Sequence, residues 1–232
     1  MRVVVCDPGV GNVRSLVRAL ERVSAGGGVG AGGGAGVSAG GFGKPYEVVV
    51  SREAPVVRGA DYVVVPGQGA FGPFARGIEG VDGQGGLGDA LREHIAAGRP
   101  YLGICLGMQI LFASSDEAPG ARGLGVLEGH VARLAPGVDP ATKQPRVLPH
   151  IGWNSVEPSE AGPWHGQPAR HFYFANSFAA RPTDPAIVAG TTTYGDDRFT
   201  SAVVRGNVRG VQFHPEKSQH DGLALLASFF RS

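Results

Sequence analysis

The run Tyr101-Leu102-Gly103-Ile104-Cys105-Leu106-Gly107-Met108-Gln109 constrains the fold more than any other stretch. Its cysteine has a glycine two residues to either side, the pattern of a nucleophile on a tight strand-to-helix turn. Gly103 and Gly107 allow strand and helix to pack closely, and a side chain at either should clash. Such a turn needs a sheet that carries helices on its faces.

The flanking segments agree. Residues 2–6 are a short β-branched run, read as a buried strand that breaks at Asp7-Pro8-Gly9-Val10-Gly11-Asn12. Val13, Leu16, Val17 and Leu20 fall at helical spacing. Residues 47–51 and 61–65 are further apolar runs, and Leu87, Leu91 and Ile95 mark a helix stopping near Gly98. Residues 101–104 predict a strand and 106–113 a helix. Alternating strands and helices predict an α/β fold with a mostly parallel sheet covered on both faces. Ligands bind such sheets at the carboxyl ends of strands, so the loops after Asp7, Pro66 and Cys105 should share one rim. In the second half, residues 187–194 and 199–205 are β-rich, and Gly206-Asn207 reads as a hairpin turn into 208–213. This predicts an antiparallel extension that delivers His214 to the rim. A last helix is expected over 223–230.

Residues 24–43 hold eleven glycines in twenty positions and read as a flexible surface insert. The segment lacks the Lys-Ser/Thr ending of a phosphate loop. The whole chain of 232 residues reads as one domain, 1–232. A net charge of +1 recommends neither nucleic acid nor an anionic membrane as partner. No stretch approaches the roughly 20 apolar residues of a membrane span. With only Cys6 and Cys105 there is no disulfide framework, which suits a reducing cytoplasm.

Far from Cys105 lies Val211-Gln212-Phe213-His214-Pro215-Glu216. His214 ends a strand and can act as general base, and Glu216 can turn back to orient its ring. With Cys105 they would form a triad for acyl transfer through a thioester. The dipole of the following helix should favour the thiolate. Cys6, mid-strand among valines, reads as structural, and His94, His130, His165, His171 and His220 as surface or packing residues. Pro66-Gly67-Gln68-Gly69-Ala70-Phe71 follows a strand, and its glycines allow an inward N–H. Gly67, Gln68 and Gly69, with the N–H of Leu106, are the expected oxyanion hole. Gln109, four residues past the nucleophile, is a candidate substrate contact. Neither a metal site nor a cofactor is expected.

Together the elbow and the Gln-Phe-His-Pro-Glu end resemble the class I glutamine amidotransferases. Three segments are similar to one branch, the glutaminase subunit of imidazole glycerol phosphate synthase: residues 7–12, Pro149-His150-Ile151-Gly152-Trp153-Asn154, and His214-Pro215-Glu216-Lys217-Ser218-Gln219. The resemblance spares only the glycine-rich insert. It implies the single-domain class I amidotransferase fold. It implies hydrolysis of glutamine to glutamate and ammonia, with Cys105 as nucleophile and His214 as proton shuttle. The ammonia would pass through a channel to a (β/α)₈ cyclase subunit in a heterodimer, at a step of histidine biosynthesis. By the same resemblance, Gly69, Gln109 and Ser177 contact glutamine. Asn12, Arg18, Trp153, Asn154 and Lys217 face the partner, and Tyr173 lies near the ammonia exit. The chain departs from the branch at Pro8, at Gln68 (usually apolar), and at Asn176 and Phe178, where a His and a Tyr are usual. Two alternatives stay open. One is the glutaminase partner of another synthase, such as pyridoxal phosphate synthase, against which Trp153 argues. The other is a binding module that merely keeps the elbow.

Overall fold

The computed structural model describes residues 1–7, 13–24, 46–79, 86–160, 162 and 164–230. The glycine-rich insert lies, beyond Ser24, outside the described residues, as does Asn12.

In chain order the elements are β1 (Arg2–Cys6), α1 (Arg14–Ser24), β2 (Glu47–Ser51), α2 (Ala54–Arg58), β3 (Tyr62–Gly67), α3 (Phe71–Glu79), α4 (Leu87–Ala96), β4 (Tyr101–Cys105) and α5 (Leu106–Gln109). There follow β5 (Gly129–Arg133), β6 (His150–Pro158), β7 (Arg170–Asn176), β8 (Phe178–Pro182), β9 (Val188–Tyr194), β10 (Asp197–Arg205), β11 (Val208–Val211) and α6 (Gln219–Phe229). Among the described residues, one sheet runs in the order β2-β1-β3-β4-β11-β10-β9-β6-β7, and β5 pairs with β8 apart from it. From β2 to β11 the strands are parallel. From β11 to β7 they are antiparallel. The expected α/β sheet with an antiparallel extension is what forms.

Strand alternation sorts the apolar residues into two layers. Val4, Cys6, Val63, Val65 and Tyr101 face the helical layer that contributes Phe71, Phe74, Ile78 and Leu91. Val3, Val5, Val64, Leu102 and Ile104 face the opposite layer, with Leu16 and Leu20 of α1 and Leu226 and Phe229 of α6. Val3, Val4, Val5, Val63, Val64 and Val65 are all fully buried. Each such side chain contributes roughly 1.5–3 kcal/mol, which makes the parallel half a rigid platform for its carboxyl rim.

Two elements depart from expectation. The helix after Cys105 stops at Gln109, well short of 113. The reason is competition for its carbonyls. Leu124 N–H donates to Ile110 O (2.7 Å), and Val126 and Leu127 N–H both donate to Leu111 O (2.8 and 3.0 Å). The returning segment therefore takes the acceptors that a longer helix would need. The last helix begins at Gln219, four residues earlier than expected. The Gly206-Asn207 hairpin is as expected, with Arg205 opposite Val208 and Gly206 at φ +57°.

The elbow glycines are explained by contact. A Cβ on Gly107 would overlap the Val65 carbonyl, one on Gly103 would overlap the Gly107 carbonyl, and one on Gly67 would press on Leu106 and Phe74. Tyr101, fully buried, donates its hydroxyl to Gly107 O at 2.8 Å and ties α5 down. Gly107→Ala is therefore expected to lower unfolding stability by roughly 3 kcal/mol, the upper range for overpacking against backbone. Denaturant unfolding measures this, and an unchanged midpoint would contradict the packing described.

Candidate active site

Cys105 closes β4 and sits at φ 55° and ψ −110°. That is a sparsely populated backbone region for a residue with a side chain. The packing of α5 onto β3 and β4 holds it there and turns the side chain off the sheet rim. α5 has only four residues. The dipole of one turn is a weaker aid to the thiolate than the helix expected over 106–113.

β11 lies beside β4, parallel, with Val211 opposite Ile104. This register brings the residues after Val211 alongside Cys105 although they are over a hundred positions away. His214 then stands at the rim, and it lines the same cavity as Cys105. On its other side Nδ1 pairs with Glu216 Oε1 at 2.8 Å, so Nδ1–H donates and Nε2 is left for the sulfur. The main chain of His214 is fixed as well. Its N–H donates to Tyr173 O (2.8 Å), and Ser218 Oγ donates to His214 O (2.6 Å) while accepting from Tyr173 N–H (2.9 Å). Burial disfavours the imidazolium. The interactions of the ring with Cys105 and with the Glu216 carboxylate that accepts from it overcome this and push the imidazole up from 6.5 to about 10. The thiol of Cys6 is pushed up to about 12 by burial, which fits its structural reading.

A cavity of about 330 Å³ opens beside the sulfur. Cys105, His214, Gln68, Gly69, Leu106, Gln109, Ser177 and Lys217 all line it. Gly69, at φ +94°, has open space around it. Gly67 does not line this cavity; it lies beneath Leu106. Gln109 is 2% exposed, and its Nε2 donates to both Phe178 O (3.0 Å) and Gln212 Oε1 (2.9 Å). Asn176 Nδ2 donates to the same Phe178 carbonyl at 3.1 Å. Among the described residues, Gln109 Oε1 and Asn176 Oδ1 have no hydrogen-bond partner, and both atoms are closed off from solvent.

The residues expected to face a partner are partly grouped. Trp153 is 49% exposed and meets Tyr173 edge-on, with ring centroids 6.4 Å apart. Lys217 Nζ sits 5.7 Å from the Tyr173 ring centroid. Ile151, 63% exposed, shares the Trp153 side of β6. Arg18 is exposed on α1. Asn154 is spent inward: Nδ2 donates to Thr193 O (3.0 Å), and Oδ1 accepts from Ser155 N–H (2.8 Å).

Sequence reading missed two residues in this site. Glu117 lines the cavity and accepts from Phe71 N–H at 2.9 Å, bracing the end of the 67–70 loop. Nothing near it in sequence announces this. Gln212 is fully buried and donates from Nε2 to Cys105 Sγ at 3.5 Å. A lone amide between Val211 and Phe213 in a buried strand was the available signal.

The family model for class-I glutamine amidotransferases matches residues 40–232. The chain belongs to this family. Curated relatives described as imidazole glycerol phosphate synthase subunit HisH match it over its whole length. The protein from Rhodospirillum rubrum is 42% identical, covering 100% of this chain and 99% of its own. The one from Aquifex aeolicus is 41% identical, covering 100% and 97%. Among solved structures, a glutamine amidotransferase superposes with a TM-score of 0.63 at 21% identity, covering 98% of each chain. The glutaminase domain of Trypanosoma brucei CTPS, with bound acivicin, gives 0.64 at 13% identity, covering 100% and 94%. These structural likenesses speak for the amidotransferase fold.

In this amidotransferase the raised imidazole has a consequence for stability. Its folded value lies above the ordinary 6.5, so the stabilisation is complete below about pH 6.5 and is lost as pH climbs through about 10. Glu216→Gln removes the carboxylate and should lower the His214 midpoint in an NMR titration. The Tm deficit of this variant should be larger at pH 6 than near pH 10. An unmoved midpoint would contradict the assigned pairing.

Proposed function

We propose that the chain is the glutaminase subunit of an imidazole glycerol phosphate synthase, a cytoplasmic enzyme of histidine biosynthesis, built as one amidotransferase domain over 1–232. The observation that carries the chemistry is the convergence of Cys105 on β4 and His214 after β11 at one cavity, with Glu216 behind the imidazole at 2.8 Å. Whole-length identity with the HisH relatives supports the choice of pathway.

The raised imidazole already holds the proton at neutral pH, so the sulfur attacks the side-chain carboxamide carbon of glutamine as a thiolate paired with the His214 imidazolium. Backbone N–H groups of Gln68, Gly69 and Leu106 hold the oxyanion, Gly67 being packed beneath Leu106; one such donor is typically worth about 10²–10³ in rate. His214 then protonates the leaving nitrogen, which departs as ammonia, and a γ-glutamyl thioester remains. Water, deprotonated by His214, clears it as glutamate. Glu117 offers a carboxylate to the ammonium of the bound amino acid, and Gln109 and Asn176 line the same cavity. Ser177 and Gly69 complete the wall.

Ammonia passes on to a (β/α)₈ cyclase subunit in a heterodimer. The surface for that partner is the outer side of β6 and β7, where Ile151 and Trp153 are exposed beside Tyr173 and Lys217. The family resemblance adds Arg18, exposed on α1, and Asn12 to the partner contacts; Asn154 supports β6 from within.

Cys105→Ala, assayed with the cyclase, should reduce glutamine-dependent synthesis by at least about a thousandfold. Synthesis from added ammonium should survive. Loss of both activities in an intact complex would contradict the channelling reading.

A further inference from the structure

The triad leaves a buried polar group unaccounted for. Gln212 is fully enclosed between Val211 and Phe213, where an apolar residue would fill the space without burying an amide. Its orientation is fixed by its neighbours. Phe178 O, a carbonyl, can only accept, so the atom of Gln109 facing it at 3.0 Å must be the nitrogen. That same nitrogen lies 2.9 Å from Gln212, whose facing atom must then be the oxygen. Gln212 is left with its NH₂ towards Cys105 Sγ, at 3.5 Å. Reversing either amide would put nitrogen against nitrogen or oxygen against a carbonyl. The chain Phe178–Gln109–Gln212 therefore presents the sulfur with a donor and excludes an acceptor.

We propose that Gln212 is a catalytic residue for the same nucleophile, donating an N–H to the Cys105 sulfur so that the thiolate is stabilised and aimed into the cavity. Gln109 has a second task as its positioning residue. This donor does the work first expected of a longer helix after Cys105. Hydrogen bonds to a charged group are stronger than neutral ones, and loss of this one corresponds to about a tenfold effect.

The proposal rests on Cys105 as nucleophile, and its first test needs neither glutamine nor a partner. The full chain is alkylated with iodoacetamide across pH 5–10, and labelling of Cys105 is read by peptide mass spectrometry. Buried Cys6 serves as the internal control. Gln212→Met keeps the volume and removes the donor. Its Cys105 should react about tenfold more slowly at pH 7, with the profile moved to higher pH, and kcat for glutamine should fall while KM holds. An unmoved profile in a folded variant overturns the proposal, even where kcat falls, because a packing role alone would leave the profile in place. A second measurement uses the wild-type chain: a Gln212 side-chain N–H resonance should shift as Cys105 titrates, and a resonance that ignores that titration overturns the proposal. Full glutaminase activity in Cys105→Ala would instead remove the nucleophile reading itself, whatever Gln212→Met shows.

Discussion

The site depends on the absence of space between the one-turn helix α5 and the sheet. Where Gly67, Gly103 and Gly107 stand, a Cβ would enter a neighbouring side chain or carbonyl. The helix therefore lies on the sheet at backbone contact distance, and the chain must reverse at Cys105 with φ at 55°. A residue in that conformation projects its side chain off the rim and into the cavity that His214 also lines. The strain is held by the glycine contacts and by the Tyr101 hydroxyl on Gly107 O.

The second half of the chain brings His214 and Glu216 towards that sulfur. β11 enters the sheet beside β4, parallel to it, through a hairpin whose other arm is antiparallel. One short strand thus joins the platform of the first half to the extension of the second. It carries Gln212, His214 and Glu216 to the sulfur in sequence order. The Tyr173 main chain grips His214 from β7, directly and through Ser218. The ring of Tyr173 lies against exposed Trp153. The outer surface of β6 and β7 and the backbone of His214 are therefore one hydrogen bond and one ring contact apart.

Much of this was legible in the sequence, for identifiable reasons. The elbow showed because close packing demands glycine at fixed offsets from the nucleophile. His214 and Glu216 showed because both lie within one turn, and the Gly206-Asn207 hairpin showed because its turn chemistry is local. Other features depend on register or on distant competition. Gln212 acquires meaning only once Val211 is set opposite Ile104. Helix α5 is short because residues 124–127 capture the Ile110 and Leu111 carbonyls that a continuation would use, which no local propensity reports. Asn154 appeared surface-directed, but its amide is drawn inward by Thr193 on β9. Glu117 reaches the cavity from an irregular segment without periodicity.

The most direct test is to trap the covalent intermediate. The chain, with its cyclase partner, is mixed with glutamine, quenched in acid within the first turnovers, digested, and searched by mass spectrometry for a γ-glutamyl adduct. The account predicts that adduct on the Cys105 peptide, decaying as glutamate appears, with the Cys6 peptide unmodified. Steady glutamate release with an unmodified Cys105 peptide, and an adduct on another residue, would contradict it.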